Sequence, residues 1–348
     1  MIPGFRLAAE RLSYTRSRIP CCSAPHNGFA GTTARAGVLW EIECSQAIGT
    51  MRKTEEFADI YRDLETRQGP DVLSAILDAQ ERGLGAVRAA IPALSGAAES
   101  AADRLRADPA GRIVYAGAGT SIRLGVQDGV ELVPTFGWPE DRLAYLIAGG
   151  PSALTRTAEG AEDNTEQARK DAAALNLGKG DVCVSLSASG TTPYAIAACE
   201  AARAAGAMTL AIANNPGAPL LYIAEHAVLI ESGPEPVGGS TRMTAGTTQK
   251  VALNLFSTLT MIRLGRVYRG MMVDVTPTNA KLRERAVRIV AAGADCDAET
   301  ARNALDATGY AVKPAILVAT GQNADDARAL LDTHGGDLHT VFDALAGD

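Results

Sequence analysis

The spacing of apolar residues divides the chain into an N-terminal helical part and a central part of alternating strands and helices. Over residues 54–106, leucine, isoleucine and valine recur at steps of three and four, which is typical of amphipathic helices. We interpret Gly69 and Pro70 as a break between two helical pieces, with Asp71 as the N-cap of the second piece. Such stripes usually bury a core, so we expect packing or dimerisation helices here.

Short apolar runs, each followed by small residues and a helical stretch, begin at residue 113. Continuous apolar strands that alternate with helices indicate a parallel sheet covered on both faces. We therefore predict an α/β fold with a doubly wound parallel sheet, and a long apolar helix over residues 246–264. The predicted strands span residues 113–115, 143–148, 182–186, 208–213 and 227–230, with one more at 315–319.

These changes of pattern give the predicted domain boundaries. Residues 51–110 form N-terminal helices, residues 111–275 the sheet domain, and residues 276–348 a small C-terminal helical region. Residues 1–50 show neither period and contain four arginines before residue 20. A transit peptide is one interpretation. We favour a start codon placed too early, with Met51 as the first residue, and so expect a non-native or disordered extension.

Composition narrows the classes of partner. The chain has 348 residues, of which 47% are hydrophobic, so it can bury a sizeable core. Its net charge of −7 gives no general attraction to nucleic acid or to anionic lipid, and we expect neither as a partner. No apolar run reaches the roughly 18 residues that a membrane span needs. An anionic ligand must therefore be held by a few oriented donors.

Metal and disulfide chemistry have no support in the spacing of cysteines and histidines. None of the six cysteines forms a CxxC pair, and the four histidines show no spacing typical of metal ligands. We therefore expect neither a metal site nor a disulfide framework.

A glycine-rich turn follows the first predicted strand, at residues 117–121, and contains Gly119, Thr120 and Ser121. Small residues allow the backbone to approach an anion, and the next helix offers free N–H groups. A dinucleotide site is disfavoured because Ile122 occupies the third glycine position and no acidic residue ends the next strand. The pattern favours a phosphate or sugar loop; the alternative is a tight turn that merely needs glycine.

A second turn follows the third predicted strand and carries four hydroxyl groups, on Ser187, Ser189, Thr191 and Thr192. Thr192 and Pro193 fit the Ncap and N1 positions of the next helix. One hydroxyl is sufficient for the cap, so the other three are free to converge on a phosphate. Ligands of open parallel sheets lie at the carboxyl ends of the strands, where both turns are predicted.

The two hydroxylated turns resemble those with which sugar isomerase (SIS) domains hold phosphosugars. Over about residues 70–340, the chain resembles the N-acetylmuramic acid 6-phosphate etherases in the order and spacing of longer runs; the glucokinase regulatory protein belongs to the same wider group. The runs are GRIVYAGAGTS (111–121), PTFG (134–137), LIAGG (146–150), EGAEDN (159–164), SASGTTPY (187–194), GSTRMTAGTTQK (239–250), TMIRLGRVY (260–268) and MVDVTPTN (272–279).

This resemblance implies cleavage of the C3 ether that joins the sugar to D-lactate, by elimination through the open-chain aldehyde. It implies no cofactor and no metal, a sugar phosphate as the small-molecule partner, a cytoplasmic location and a homodimer. Glu131 matches the family's proton donor, and Glu162 matches its second acid–base residue, to which we assign removal of the C2 proton. The implied substrate-binding residues are Gly119, Thr120, Ser121, Ser187, Ser189, Thr192 and Ser240.

Three positions depart from the family pattern. Ile122 replaces a glycine, Thr191 replaces the usual arginine and Thr244 replaces the usual lysine. Two donors for a phosphate or a carboxylate are thereby removed. Three alternatives to the etherase reaction on its usual substrate therefore stay open: a differently substituted hexose 6-phosphate, an isomerase or deaminase of the same fold, and a regulator that senses sugar phosphates without catalysis.

Overall fold

The N-terminal part consists of three short 3₁₀ turns and two long helices. The structure is a computed structural model that describes residues 52–347, so the interpretations of residues 1–50 and of Met51 lie outside the described residues. The turns span Lys53–Glu55, Asp59–Tyr61 and Leu64–Thr66, and the helices are α1 (Gly69–Ala89) and α2 (Ile91–Ala107).

Three details of the predicted N-terminal helices are wrong. The α-helix begins only at Gly69, and its N-cap position is held by Gln68 rather than Asp71, without a side-chain capping hydrogen bond. Pro70 does not separate two helices; it lies within the first turn of α1. The first turn of a helix uses no intrahelical N–H donor, so proline is compatible with that position.

The predicted parallel sheet is confirmed. Its strands are β1 (Ile113–Gly117), β2 (Leu143–Ile147), β3 (Val182–Ser187), β4 (Met208–Ala213) and β5 (His226–Leu229). They pair in parallel in the order β2-β1-β3-β4-β5. The chain leaves β1 toward one edge and returns at β3 on its other side, so the topological switch point lies between β1 and β3. The turns that follow these two strands are therefore neighbours.

Helices cover both faces of the sheet. The helices between and after the strands are α3 (Gly119–Phe136), α4 (Thr165–Ala174), α5 (Pro193–Ala204), α6 (Pro219–Ile223) and α7 (Thr244–Arg263). Side chains alternate along β1: Ile113 and Tyr115 pack with α2 and α7, whereas Val114 and Ala116 pack with α4 and α5. Much of the helical surface in these contacts is alanine, and the alanines of α2 at 97, 98, 101 and 102 are fully buried. Two buried faces explain the unbroken apolar runs.

The C-terminal region has its own apolar core. It comprises the hairpin strands β6 (Val267–Tyr268) and β7 (Met271–Met272) and the helices α8 (Ala280–Ala294), α9 (Ala298–Ala307), α10 (Val312–Ala319), α11 (Ala324–Thr333) and α12 (Leu338–Gly347). The predicted strand at residues 315–319 is wrong, because these residues form most of α10. A short apolar run fits a buried helix as well as a buried strand, and α10 is buried among α8, α9 and α11.

An ionic cluster lies at the edge of the C-terminal core. Lys313 Nζ lies 2.6 Å from a carboxylate oxygen of Asp274, and Arg266 Nη1 lies 3.7 Å from the same oxygen. Burial lowers the pKa of Lys313, while the charge and hydrogen bond of Asp274 oppose that change. A buried lysine and a half-buried arginine thus share one carboxylate.

No helix within residues 52–347 combines the length and apolarity needed to cross a membrane.

Candidate active site

The turn after β1 places backbone N–H groups at the carboxyl edge of the sheet. Gly119 opens α3 with a φ of +54°, a conformation that favours glycine. A Cβ atom added at Gly117 would lie 2.7 Å from the carbonyl oxygen of Leu186, so this turn passes close to the end of β3. Thr120 and Ser121 follow in the first helical turn, where N–H groups have no intrahelical acceptor. The turn therefore offers the donors that an anion needs.

The turn after β3 is a network of hydroxyl groups. Ser187 Oγ accepts a hydrogen bond from Gly190 N (2.9 Å) and lies 2.8 Å from Thr192 Oγ1 and 3.2 Å from Ser189 Oγ. Ser189 Oγ accepts from the backbone N and from the hydroxyl of Thr191, at 3.2 and 3.1 Å. The hydroxyls are thus held in fixed positions before any ligand arrives.

The helix α5 starts where it was predicted to start, but the predicted N-cap hydroxyl makes no capping hydrogen bond. Thr192 is the N-cap and Pro193 opens the helix, but the Thr192 hydroxyl makes no capping hydrogen bond. It bonds to Ser187 instead. Gly190 has a φ of +67°, and a Cβ there would lie 2.3 Å from the Cβ of Ala218. The turn therefore requires glycine at 190.

The two turns enclose one side of a cavity of about 480 Å³, which we call the phosphosugar cavity. Its wall includes Gly119, Thr120, Ser121, Ser187, Ser189, Thr191, Thr192, Glu162, Asp163, Thr241, Arg52 and Glu55. Six of the seven predicted substrate-binding residues thus meet in one place. A volume of this size suits a small molecule such as a sugar phosphate.

Glu162 stands at the border between two cavities. It lies on the 3₁₀ turn Ala161–Asp163, directly before α4, and its side chain is exposed. The turn is fixed by Asn164, whose side chain accepts a hydrogen bond from Gln167 N and caps α4. Glu162 lines both the phosphosugar cavity and an adjacent cavity of about 430 Å³. A carboxylate at this border can reach a ligand held by the two turns.

Glu131 does not line the phosphosugar cavity of its own chain. It lies on α3 twelve residues beyond Gly119, which corresponds to about 18 Å along the helix axis. Its neighbours form a separate concave surface of about 420 Å³ that includes Val130, Pro134 and Tyr145. Glu131 is exposed there. Within one chain, the structure therefore does not bring Glu131 and Glu162 together.

The remaining sequence-selected residues lie around the cavity rather than on its wall. Ser240 belongs to the loop that precedes α7, but it is the next residue, Thr241, that lines the cavity. Ile122 is 1% exposed and packs in the core, so it does not narrow the phosphate loop. Thr244 is fully buried, and its Cγ2 would lie 2.8 Å from a Cβ added at Gly83 of α1.

Three residues on the cavity wall were not predicted from the sequence: Arg52, Glu55 and Thr241. The motif GSTRMTAGTTQK could have identified Thr241, because this residue directly follows Ser240 in it. Arg52 and Glu55 lie more than 60 residues before the first strand-end turn, and no local pattern ties them to the site. Only the folded chain places them beside the hydroxyl turn.

A buried polar network anchors α3 beneath the site. Asp128, 5% exposed, accepts hydrogen bonds from Tyr115 Oη (2.8 Å), Asn254 Nδ2 (2.9 Å) and Ser257 Oγ (3.2 Å). Burial raises the pKa of Asp128, and the three hydrogen bonds counteract part of that rise. The network joins α3 to β1 and α7, and so fixes the helix that carries both Gly119 and Glu131.

Residues 52–347 contain no cluster of three or more His, Cys, Asp or Glu side chains arranged to hold a metal ion.

The fold and the paired hydroxyl turns define the class of protein: a SIS domain. Residues 156–259 match the family model of the SIS domain, and residues 96–203 match that of the glucokinase regulatory protein N-terminal SIS domain. Among solved structures, a phosphoheptose isomerase from Francisella tularensis is similar at 18% identity, with a TM-score of 0.42 over 57% of this chain and 98% of that chain.

Curated relatives narrow the class. An N-acetylmuramic acid 6-phosphate etherase from Deinococcus radiodurans is 46% identical over 292 residues, which cover 84% of this chain and 95% of the relative. One from Salmonella agona is 43% identical over 282 residues, covering 81% of this chain and 94% of the relative. The chain belongs to the N-acetylmuramic acid 6-phosphate etherase family, as its sequence motifs predict.

Proposed function

We propose that this chain is a carbon–oxygen lyase that cleaves the C3 lactyl ether of N-acetylmuramic acid 6-phosphate, giving N-acetylglucosamine 6-phosphate and D-lactate. Such a reaction recycles cell-wall sugar. The observation that carries the proposal is the phosphosugar cavity, in which both hydroxyl turns meet the family's acid–base residue Glu162. The named relatives, 43–46% identical over most of the chain, support the same reaction.

The phosphate group of the substrate is assigned to the two turns. Gly119, Thr120 and Ser121 supply N–H donors at a helix N-terminus, where an anion is favoured. The hydroxyls of Ser187, Ser189 and Thr192 complete the shell from the opposite turn. Because these groups are neutral, an acidic chain can bind a phosphate without a basic surface.

The proposed chemistry uses two carboxyl groups in succession. Glu162 takes the C2 proton of the open-chain sugar, which the adjacent aldehyde makes acidic, and electrons move to form the C2–C3 double bond. The C3–O bond breaks, and Glu131 gives its proton to the departing lactate oxygen. Water then adds across the double bond, with its oxygen on C3 and a proton returned to C2. The result is net replacement of the lactyl ether by a hydroxyl group.

The distance of Glu131 from its own cavity calls for a second subunit. We propose a homodimer in which Glu131 of one chain enters the phosphosugar cavity of the other. Exposed apolar side chains on the same helical layer support such pairing: Leu73, Leu77 and Leu84 on α1, Leu255 and Ile262 on α7, and Val130 beside Glu131. A partner that covers Val130 and Tyr145 would exclude water from the surroundings of Glu131.

We further propose a cytoplasmic location, since a charged sugar phosphate does not cross a bilayer unaided.

D-Lactate release from N-acetylmuramic acid 6-phosphate by the purified chain tests the function. The wild-type chain is expected to release lactate, and Glu162→Gln to lose at least about a hundredfold in kcat, the contribution typical of acid–base catalysis. Binding of the sugar phosphate without lactate release, measured by thermal shift, would instead indicate an isomerase, a deaminase or a sensing regulator.

A further inference from the structure

The segment Arg52–Glu55 forms part of the phosphosugar cavity because Thr54 is anchored below it. Thr54 is fully buried, and its backbone N donates to Asn215 Oδ1 at 3.3 Å. Asn215 Nδ2 donates in return to Thr54 Oγ1 at 3.0 Å, and Gly239 N donates to the Thr54 carbonyl oxygen at 3.2 Å. Arg52 and Glu55 are thereby held at the cavity wall.

The side chain of Glu55 packs against Gly239 in the loop that precedes α7. Gly239 has a φ of +75°, and a Cβ added there would lie 2.9 Å from Glu55 Oε2. The carboxylate therefore lies against a glycine, next to Thr241 on the wall. With Glu162 and Asp163, it gives the cavity three carboxylates.

Arg52 is the one arginine or lysine among residues 52–347 that lines this cavity. It forms no ion pair with any carboxylate of the described range. Its guanidinium group thus has hydrogen-bond donors available for a ligand. A cavity with three carboxylates repels an anionic substituent unless a cation stands nearby.

The two cationic positions that the family pattern leads one to expect cannot take this role. Thr191 lines the cavity, but its hydroxyl is bonded to Ser189 and carries no charge. Thr244 lies in the interior against α1, away from the wall. Arg52 is therefore positioned to supply the missing charge.

We propose that Arg52 is a specificity-determining residue that binds the carboxylate of the 3-O-lactyl substituent. This inference rests on the proposed function, since it presumes that substrate. Phosphate recognition is assigned to the two turns, whereas the lactyl carboxylate has no other cationic partner among the residues of 52–347 that line the cavity. The planar guanidinium fork suits a carboxylate, with which it forms two parallel hydrogen bonds.

The test compares two ligands that differ by the lactyl group. Dissociation constants for N-acetylmuramic acid 6-phosphate and N-acetylglucosamine 6-phosphate are measured by calorimetry on the full chain carrying Glu162→Gln, which prevents turnover. Adding Arg52→Gln is expected to weaken the first ligand at least about tenfold, the usual scale for a charged hydrogen bond, and the second less than about twofold. Arg52→Lys should lie between.

Arg62→Gln is the matched control, because it removes an equal charge at a residue that is paired with Asp59 at 2.7 Å and does not line the phosphosugar cavity. It should change neither constant. Equal weakening of both ligands by Arg52→Gln, or no weakening, would overturn the carboxylate assignment while leaving the lyase proposal intact. If neither ligand binds the Glu162→Gln chain with Arg52 intact, and the wild-type chain releases no lactate, both the carboxylate assignment and the lyase proposal would be overturned.

Discussion

Thr54 and Asn215 form a reciprocal pair of hydrogen bonds across 161 residues of sequence, with both side chains buried. Asn215 Nδ2 also donates to the carbonyl oxygen of Ala188 at 2.9 Å, inside the hydroxyl turn. One amide group therefore ties the N-terminal segment to the turn assigned to the phosphate. Any displacement of Thr54 is expected to change both walls of the phosphosugar cavity.

Replacing Thr54 with valine tests this coupling. The change keeps the shape of the side chain and removes the acceptor of the Asn215 amide, so we expect a loss of about 1–3 kcal/mol in unfolding free energy. We also expect KM for the sugar phosphate to rise several-fold. Urea unfolding and steady-state kinetics give the two values. Thr66→Val, at an exposed hydroxyl bonded to Asp63, is the control; an equal effect there would contradict the coupling.

Mixed oligomers test the placement of Glu131. Glu131→Gln and Glu162→Gln are each expected to lose at least about a hundredfold in kcat. If the two carboxyl groups of one site come from different chains, mixing the inactive variants under exchange conditions restores part of the activity, because some dimers regain one complete site. Lactate release before and after mixing is the measurement. No recovery, in a mixture shown to exchange subunits, would contradict the shared site.

Gly190→Ala is expected to damage both stability and binding. The positive φ and the contact with Ala218 together should cost more than about 2 kcal/mol, and the shifted turn should weaken phosphate binding. Thermal unfolding and a phosphosugar titration measure the two effects. Gly85→Ala is the comparison, since it lies within α1 and its Cβ would meet nothing within 4 Å; it should stabilise by up to about 1 kcal/mol.

The ionic cluster of the C-terminal core predicts an unequal response to removing its charges. Asp274→Asn leaves Lys313 and Arg266 without their shared carboxylate and is expected to cost about 3 kcal/mol. Lys313→Met removes a buried cation and leaves Asp274 beside Arg266, so its cost should be clearly smaller. Chemical denaturation of both variants decides the order. A larger loss of unfolding free energy for Lys313→Met than for Asp274→Asn would mean that Lys313 and Arg266 do not depend on Asp274 alone as their counter-charge.

Asp128 predicts a pH dependence of stability. Burial raises the pKa of Asp128 in the folded chain above its unfolded value of about 3.9, so the folded state holds the proton more tightly. Stability from this group is therefore greatest below the unfolded pKa and falls as pH rises through the folded pKa. Asp128→Asn lacks this titration. As the pH rises from 4 to 7, the unfolding free energy of Asp128→Asn should increase relative to that of the wild type. Parallel curves of unfolding free energy against pH would contradict a raised pKa of Asp128.

The sheet was predictable because its strands are buried on both faces, which leaves unbroken apolar runs bounded by small residues. The same property misled the prediction at residues 315–319, where a helix is buried all round. Around Gly69 the error was local: Pro70 reads as a break but suits the first turn of α1. An unbroken apolar run records burial on all sides, and it does not by itself distinguish a buried strand from a buried helix.

The part of the candidate site that lies in the turns after the strands was predictable from the sequence. Ser187 ends one buried strand and Thr120 lies in the turn after another, and parallel topology brings such turns together. Arg52 could not be predicted, because its place depends on a bond between Thr54 and Asn215 that no spacing records. Glu131 was found by its motif alone, and a motif does not tell which subunit's cavity a side chain serves.

The buried alanines of α2 leave little room between that helix and the sheet. Long side chains can absorb a substitution by changing rotamer, whereas a methyl group has no such freedom, so an enlargement at Ala98 would push the whole layer outward. Variation that alters substrate preference is therefore confined to the loops at the carboxyl edge. The thickness of the interior thus limits which substitutions it can accept, whereas the turns at the carboxyl edge can change their side chains without moving the helical layer.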